Sequence, residues 1–275
     1  MPELPEVETI RRTLEYLVLE KEIKDVIVHW PKIIQHPDDI EYFKQLLTGE
    51  TIRSLRRRGK FLLFYLDHYV LVSHLRMEGK YRVVPESEPI DKHTHVIFQF
   101  TDGTELRYND VRKFGTMHVF PIGEELKVQP LIKLGPDPFD ENYTLDYVKE
   151  KLKRTTRNIK ATLLDQSIIA GLGNIYVDEV LFLSQIHPEK CANELTDEEI
   201  KTIWENVRLV IEKAVEKGGT TIRSYVNGEG EMGMFQQELY VYAQDKKPCK
   251  HCGTEIVKLR VAGRGTHICP KCQVL

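Results

Sequence analysis

The 275-residue chain lacks any run of 18 or more consecutive apolar residues, so no membrane-spanning helix is expected. It also lacks a basic stretch followed by an apolar one at its start, so no signal peptide is expected and the cytosol is the predicted compartment. An excess of positive charge is missing as well: the formal balance is −3, which on its own argues against a nucleic-acid binder. No internal repeat is visible. What remains is a globular composition, 41% hydrophobic and 29% charged with a mean hydropathy of −0.36, long enough for two domains.

The distribution of charge says more than its sum. "RSLRRRGK" (53–60) and "KLKRTTRNIK" (151–160) each carry five cations and no acid, and from Lys246 onward seven cations face the single acid Glu255. Acids gather instead in 186–216, with eight against four basic residues. Any one such run is ordinarily a solvated face, but three together suit an anionic polymer.

Four of the five cysteines form "CKHC" (249–252) and "CPKC" (269–272), separated by sixteen residues. That is the spacing of a four-thiolate zinc site, and four thiolates leave no open position, so one structural Zn²⁺ is predicted at Cys249, Cys252, Cys269 and Cys272. Cys191 stands apart and reads as a small, partly buried side chain. Between the pairs, "EIVKLRVAGRGTHIC" reads as a hairpin with "AGRG" at its tip. Glycines beside Arg264 let a backbone approach a phosphate, although a plain turn with a solvent-facing arginine has the same look.

Residues 20–135 read as β-rich. "KFLLFYL" suggests a strand buried on both faces, and Asp102-Gly103 lies between two strand-like runs as a hairpin turn. "LGPDPF" (134–139) is a linker, after which the period turns helical. "YTLDYVKEKLKR", "IKATLLDQSIIA" and "IYVDEVLFLSQI" read as helices. So does the long segment after Thr196, capped by Thr196 with Glu199 and stopped by Gly218-Gly219. "GLGN" (171–174) turns into a helix with Asn174 at its expected cap, which is a possible anion site or merely a turn. "VNGEGEMGMF" (226–235) reads as a flexible loop.

At the start, Val7, Ile10, Leu14, Leu17 and Val18 predict a helix from Pro5 to about Val18. Pro2 and Glu3 are left ahead of it with no capping role. Loss of Met1 would expose a proline secondary amine. A free α-amino group titrates about 2.5 units below lysine, so more of it is unprotonated near neutral pH and able to attack a carbon and form an iminium. Glu3 is placed to give or take a proton. By itself the dipeptide is an arbitrary N-terminus. Lys60 alone is an ordinary surface lysine. Met77, Arg112 and Phe114 in "HLRMEGK" and "DVRKFGT" are core residues by default, or wedges that unstack bases.

Taken together, "PELPEVET", "RRGKFL", "HLRMEG", "VRKFG", "LGPDP", "GLGNIYVDE", "KGGTTIRSYV" and "AGRGTHICPKCQ" are collinear over nearly the whole chain. They resemble the bacterial formamidopyrimidine-DNA glycosylase family, within the Fpg/Nei group. The endonuclease VIII branch typically has glycine where this chain has Leu4 and lacks the Met/Arg/Phe set. The resemblance implies a bifunctional enzyme acting on double-stranded DNA that contains an oxidised purine, such as 8-oxoguanine opposite cytosine, or an abasic site. It implies Pro2 as nucleophile at C1′, Glu3 as its acid/base partner, Lys60 as a proton donor linked to β-elimination, and Arg264 on the lesion phosphate, assisting δ-elimination. Met77, Arg112 and Phe114 would fill the gap left by the flipped base, Arg112 facing the orphaned cytosine. His93, Lys160 and Asn174 match further DNA-contact positions, and the loop at 219–235 would cover the flipped base. Where some relatives carry a lysine this chain has Thr155, which is given no DNA contact. Arg154 or Arg157 is the candidate substitute.

The expected fold is α+β and multidomain: an N-terminal β-sandwich with its catalytic helix (1–134), a helix–two-turn–helix domain (135–235) and a four-cysteine zinc finger (236–275). The expected state is a monomer in the bacterial cytoplasm, associated with the nucleoid through DNA, with no membrane partner. The alternative is a zinc-ribbon DNA binder or scaffold without chemistry, which has no use for an N-terminal proline amine.

Overall fold

The computed structural model describes residues 1–221 and 230–275. They fall into two compact units, Met1–Ile132 with Gly218–Met234, and Lys133–Lys217 with Phe235–Leu275.

The first unit begins with α1 (Leu4–Val18), whose buried residues Val7, Ile10, Leu14 and Val18 repeat at helical spacing. The helix starts one residue before Pro5, and Glu3 is its N-cap. The Glu6 carboxylate accepts the Glu3 backbone N–H at 2.7 Å, so the segment ahead of the helix does have a capping role. Then come β1 (Ile23–Val28), β2 (Ile34–His36) and α2 (Ile40–Leu47). The α2 helix interrupts the β-rich reading. Its sequence marks are an Asp39 cap that accepts from Tyr42 N at 2.9 Å and an apolar pair, Phe43 and Leu47, four residues apart.

Seven more strands follow: β3 (Ser54–Arg58), β4 (Phe61–Tyr65), β5 (Tyr69–His74), β6 (Lys80–Pro85), β7 (Thr94–Phe100), β8 (Thr104–Asn109) and β9 (Thr116–Pro121). They form a four-stranded sheet, β1-β7-β8-β6, and a five-stranded sheet, β2-β9-β5-β4-β3, antiparallel except where β2 meets β9. Phe98, Phe100 and Tyr108 of one sheet share a core with Leu62, Phe64 and Val119 of the other and with α1, which makes a sandwich. In β4 every residue but Tyr65 is buried, as its unbroken apolar run predicts. Arg56, Arg57 and Arg58 lie on the edge strand β3, where charge discourages pairing with other chains. Gly103 turns the β7–β8 hairpin at φ +81°, as the Asp-Gly pair predicts.

The second unit carries α3 (Leu145–Lys153), α4 (Ile159–Leu163), α5 (Asn174–Leu183), α6 (Asp197–Glu216) and a terminal hairpin of β10 (Val257–Val261) and β11 (Arg264–Ile268). The α6 cap is as the sequence predicts: Thr196 N donates to Glu199 and Glu199 N donates to Thr196 Oγ1. Gly218 and Gly219 end the region with φ +71° and +79°. By contrast "IKATLLDQSIIA" is helical only as far as Leu163. There Asp165 takes over: its carboxylate accepts Ser167 N at 3.0 Å and its carbonyl accepts Ile168 N and Ile169 N, so local turns replace the helical ladder. Among the described residues no helix is long and apolar enough to cross a membrane.

Candidate functional site

Pro2 and Glu3 are both buried at the head of α1. Glu6, one turn on, uses its second oxygen to accept Thr220 N at 2.8 Å. A Cβ on Gly219 would stand 2.7 Å from that carboxylate, so only glycine fits against it. A Cβ on Gly233 would meet the Gly219 carbonyl at 2.3 Å, and Gly233 N donates to Thr221 Oγ1. The base of the expected covering loop is therefore a close backbone pair tied to α1. Residues 222–229 of that loop lie outside the described residues.

Lys60 sits with Gly59 in the two-residue turn between β3 and β4, since Arg58 pairs with Phe61. Gly59 supplies the required φ of +56°. Lys60 is only 6% exposed, unusual for a lysine at a turn, so it is not an ordinary surface lysine. Arg57 steadies the turn, giving one N–H to the Gly59 carbonyl at 2.8 Å and another to Glu8 at 3.3 Å. Burial pushes the Glu8 carboxyl up, but Arg11, Arg12 and Arg57 more than offset this and hold it below its usual range. His74 packs edge-on against Phe61 and is depressed to about 3 by burial, then by Arg76 and Lys60, so it is neutral at physiological pH.

Met77, Arg112 and Phe114 come together. Met77 is 42% and Phe114 52% exposed, the Arg112 guanidinium lies 4.8 Å from the Phe114 ring centre, and its Nη1 meets the Met77 sulfur at 2.9 Å. They are not core residues. His93 is half-buried beside them, its carbonyl accepting Asp110 N at 3.0 Å. The residue that organises this corner, Asp110, escapes sequence reading, its one trace being an acid buried between a strand and a glycine turn.

In the second unit Arg264 is exposed, and it opens β11 opposite Val261; the tip itself is Ala262-Gly263. Lys160 is wholly buried, its ammonium 2.6 Å from Asp178 and 2.8 Å from Thr266 Oγ1. The other Asp178 oxygen accepts His267 N at 2.9 Å. Asn174 is the first residue of α5, with Gly173 as cap, and its amide donates to the Gly265 carbonyl at 2.9 Å. Lys160, Asp178 and Asn174 thus pin the hairpin that carries Arg264. Glu179 next door accepts three backbone N–H groups, from Tyr240, Val241 and Tyr242, at 2.8–2.9 Å. Burial raises its pKa, and those bonds pull it back only in part. Two adjacent acids inside the apolar "IYVDEVLFL" are the sequence signal for this pair.

The four sulfurs of Cys249, Cys252, Cys269 and Cys272 lie within 4.8 Å of one another, with separations of 3.9, 3.5 and 3.6 Å for three of the pairs. A tetrahedron of thiolates about 2.3 Å from zinc sets sulfurs roughly 3.8 Å apart, so the geometry fits one structural zinc ion. Beneath it is a small core, Phe182, Val241 and Ile256 with Cys249 and Cys269.

The chain matches three family models: the formamidopyrimidine-DNA glycosylase N-terminal domain over residues 1–117, the formamidopyrimidine-DNA glycosylase H2TH domain over 134–226, and the zinc finger found in FPG and IleRS over 246–274. It is 62% identical over 273 residues to the formamidopyrimidine-DNA glycosylase of Oceanobacillus iheyensis, spanning 99% of this chain and 98% of that one. Identity to the Bacillus subtilis formamidopyrimidine-DNA glycosylase is 58%, spanning 99% of each. The structure is similar to Lactococcus lactis Fpg bound to abasic-site DNA, with a TM-score of 0.94, 43% identity, and coverage of 99% of this chain and all of that one. A complex of the same Lactococcus lactis enzyme with Fapy-dG DNA matches with a TM-score of 0.92, 43% identity and the same coverage.

Proposed function

The chain belongs to the formamidopyrimidine-DNA glycosylase family, and we infer from this that it excises oxidised purines from duplex DNA and cleaves the strand at the resulting abasic site. Full-length similarity to curated glycosylases carries the reading. Lesion-bearing and abasic duplexes in the related complexes support the same substrates here.

In this reading the secondary amine of Pro2, freed by loss of Met1, forms a bond to C1′ as the glycosidic bond breaks. The base departs with a proton, and opening of the sugar leaves an iminium. Glu3, buried beside Pro2, moves the proton at the sugar. Lys60 supplies the proton linked to β-elimination. Its placement supports the role, because the tight turn after Arg58 holds it almost wholly buried instead of trailing in solvent. Arg264, exposed on its hairpin, takes the lesion phosphate and assists δ-elimination. Met77, Arg112 and Phe114 fill the hole left by the flipped nucleotide, with His93 and Asn174 assigned to the surrounding DNA and Lys160, buried against Asp178, acting on it through the Arg264 hairpin. Residues 1–134 carry the chemistry, 135–235 hold the duplex, and 236–275 present Arg264 on a zinc-held finger. The enzyme works as a monomer at bacterial chromosomal DNA, in the cytoplasm.

The test is a duplex carrying a single 8-oxoguanine opposite cytosine. Release of the base with a nick at the lesion, and no nick in the undamaged duplex, is expected. Binding without cleavage would favour a zinc-ribbon binder instead.

A further inference from the structure

The Met77 turn and the Arg112–Phe114 turn are separate in sequence, yet both close on one buried hydroxyl. Tyr108 is fully buried. A Cβ at Gly79, two residues after Met77, would stand 2.3 Å from the Tyr108 hydroxyl. A Cβ at Gly115, directly after Phe114, would stand 1.7 Å from it. The hydroxyl therefore occupies a slot that exists only because both turns end in glycine. It donates to Asp110 Oδ2 at 3.3 Å. The same carboxylate accepts three backbone N–H groups of the second turn at 2.9 Å each: Arg112 N on Oδ1, and Phe114 N and Gly115 N on Oδ2.

Both turns also hold a non-glycine residue in the left-handed region, Arg76 at φ 52° and Lys113 at φ 58°. A side chain with a Cβ is disfavoured there and persists only where its surroundings dictate it. Arg76 N donates to the neutral His74 ring at 2.9 Å, and Lys113 N donates to the Asp110 carbonyl at 3.3 Å. Tyr108 is held in turn: its ring meets Tyr81 edge-on with centroids 5.2 Å apart, and the Tyr81 hydroxyl donates to Ser73 at 2.7 Å.

We propose that Tyr108 and Asp110 are positioning residues that lock the two turns in one register, so that Met77, Arg112 and Phe114 enter DNA as a single rigid wedge. The proposal rests on the reading of those three side chains as the ones that fill the gap opposite the extruded base. Its consequence is specific. Arg112 can discriminate the opposing base only if its fork is held in place, so loosening Tyr108 should blur recognition of a base that Tyr108 never touches.

The experiment is single-turnover excision of 8-oxoguanine opposite each of the four bases, with Tyr108→Phe, Met77→Ala, Arg112→Ala and the double variants Tyr108→Phe/Met77→Ala and Tyr108→Phe/Arg112→Ala. Tyr108→Phe should lower the preference for cytosine about fivefold, the scale of one lost hydrogen bond. It should add little to Arg112→Ala, because the two act as one unit. A merely structural tyrosine would instead lower the melting temperature and slow excision equally opposite all four bases, which overturns the proposal. So does strict additivity in the double variants. If Arg112→Ala and Met77→Ala themselves change nothing, the wedge reading fails, a result distinct from failure of the coupling alone. Should Tyr108→Phe not fold, Asp110→Asn carries the same test, since its amide turns one acceptor into a donor facing backbone N–H groups.

Discussion

At the scale of single residues, Lys160 shows how a motif match and a structure divide. The sequence places it among DNA contacts, while the structure seals it against Asp178 with neither side chain exposed. Removing one partner of a buried ion pair leaves the other charge stranded, at a cost of about 3 kcal/mol. Lys160→Ala should therefore shift the urea midpoint strongly. It should also let the β-elimination product accumulate at the expense of the δ-product, because the Arg264 hairpin loses its anchor. A variant of unchanged stability whose DNA binding has lost about one phosphate's worth of salt dependence would instead make Lys160 a direct contact. The two depressed histidines of the first unit set a pH response. His74 is held at about 3 and His118 at about 4, both chiefly by burial. Between those values and the ordinary histidine range near 6.5, the unfolded chain binds protons that the folded one refuses. Stability should hold above pH 6.5 and fall as the pH drops toward 4, by up to about 1.4 kcal/mol per pH unit from His74. Urea melts at pH 7, 5.5 and 4.5 check this, and His74→Asn should flatten the trend.

At the scale of elements, the zinc finger is the piece least able to stand alone. Its core is a handful of apolar side chains around Cys249 and Cys269, whereas the sandwich has its own large core. Chelation or Cys249→Ser should disorder the chain from about residue 245 and displace Arg264. Lesion binding should then collapse while tryptophan and far-UV signals of the sandwich persist. A stripped protein that binds and cuts normally would remove the finger from the DNA site. What the sequence discloses at this scale follows from local chemistry: the Thr196–Glu199 box, the Asp102-Gly103 turn and the two CxxC loops each act within a few residues. What it hides is long-range. The α2 helix is short and lies within a β-rich stretch. The helix after Ile159 is cut off by Asp165, whose turn bonds compete with the ladder. The burial of Lys60 and Lys160 and the hub role of Asp110 depend on strands or helices that meet only on folding.

At the scale of the whole molecule, the basic runs are less free than the sequence implies. Arg53 is paired with Glu20 and Asp67, Arg57 with Glu8, Arg157 with Asp165 and Lys160 with Asp178. A chain of net charge −3 should bind DNA through a few exposed cations. Arg264→Ala should reduce the slope of log affinity against log salt by about 0.9, one phosphate, while Arg53→Ala leaves it unchanged. The whole arrangement serves an amine at position 2, which can be tested on the amine itself. With Met1 attached, the Pro2 nitrogen is an amide whose lone pair is held in the peptide plane, so it can form no iminium. The decisive measurement is borohydride trapping on an 8-oxoguanine duplex, with processed and Met1-retaining protein separated by mass spectrometry. A covalent protein–DNA adduct is expected only from protein that begins at Pro2, with the blocked form still binding the lesion. Equal trapping by the Met1-retaining form would contradict this and turn attention to Lys60 as the nucleophile.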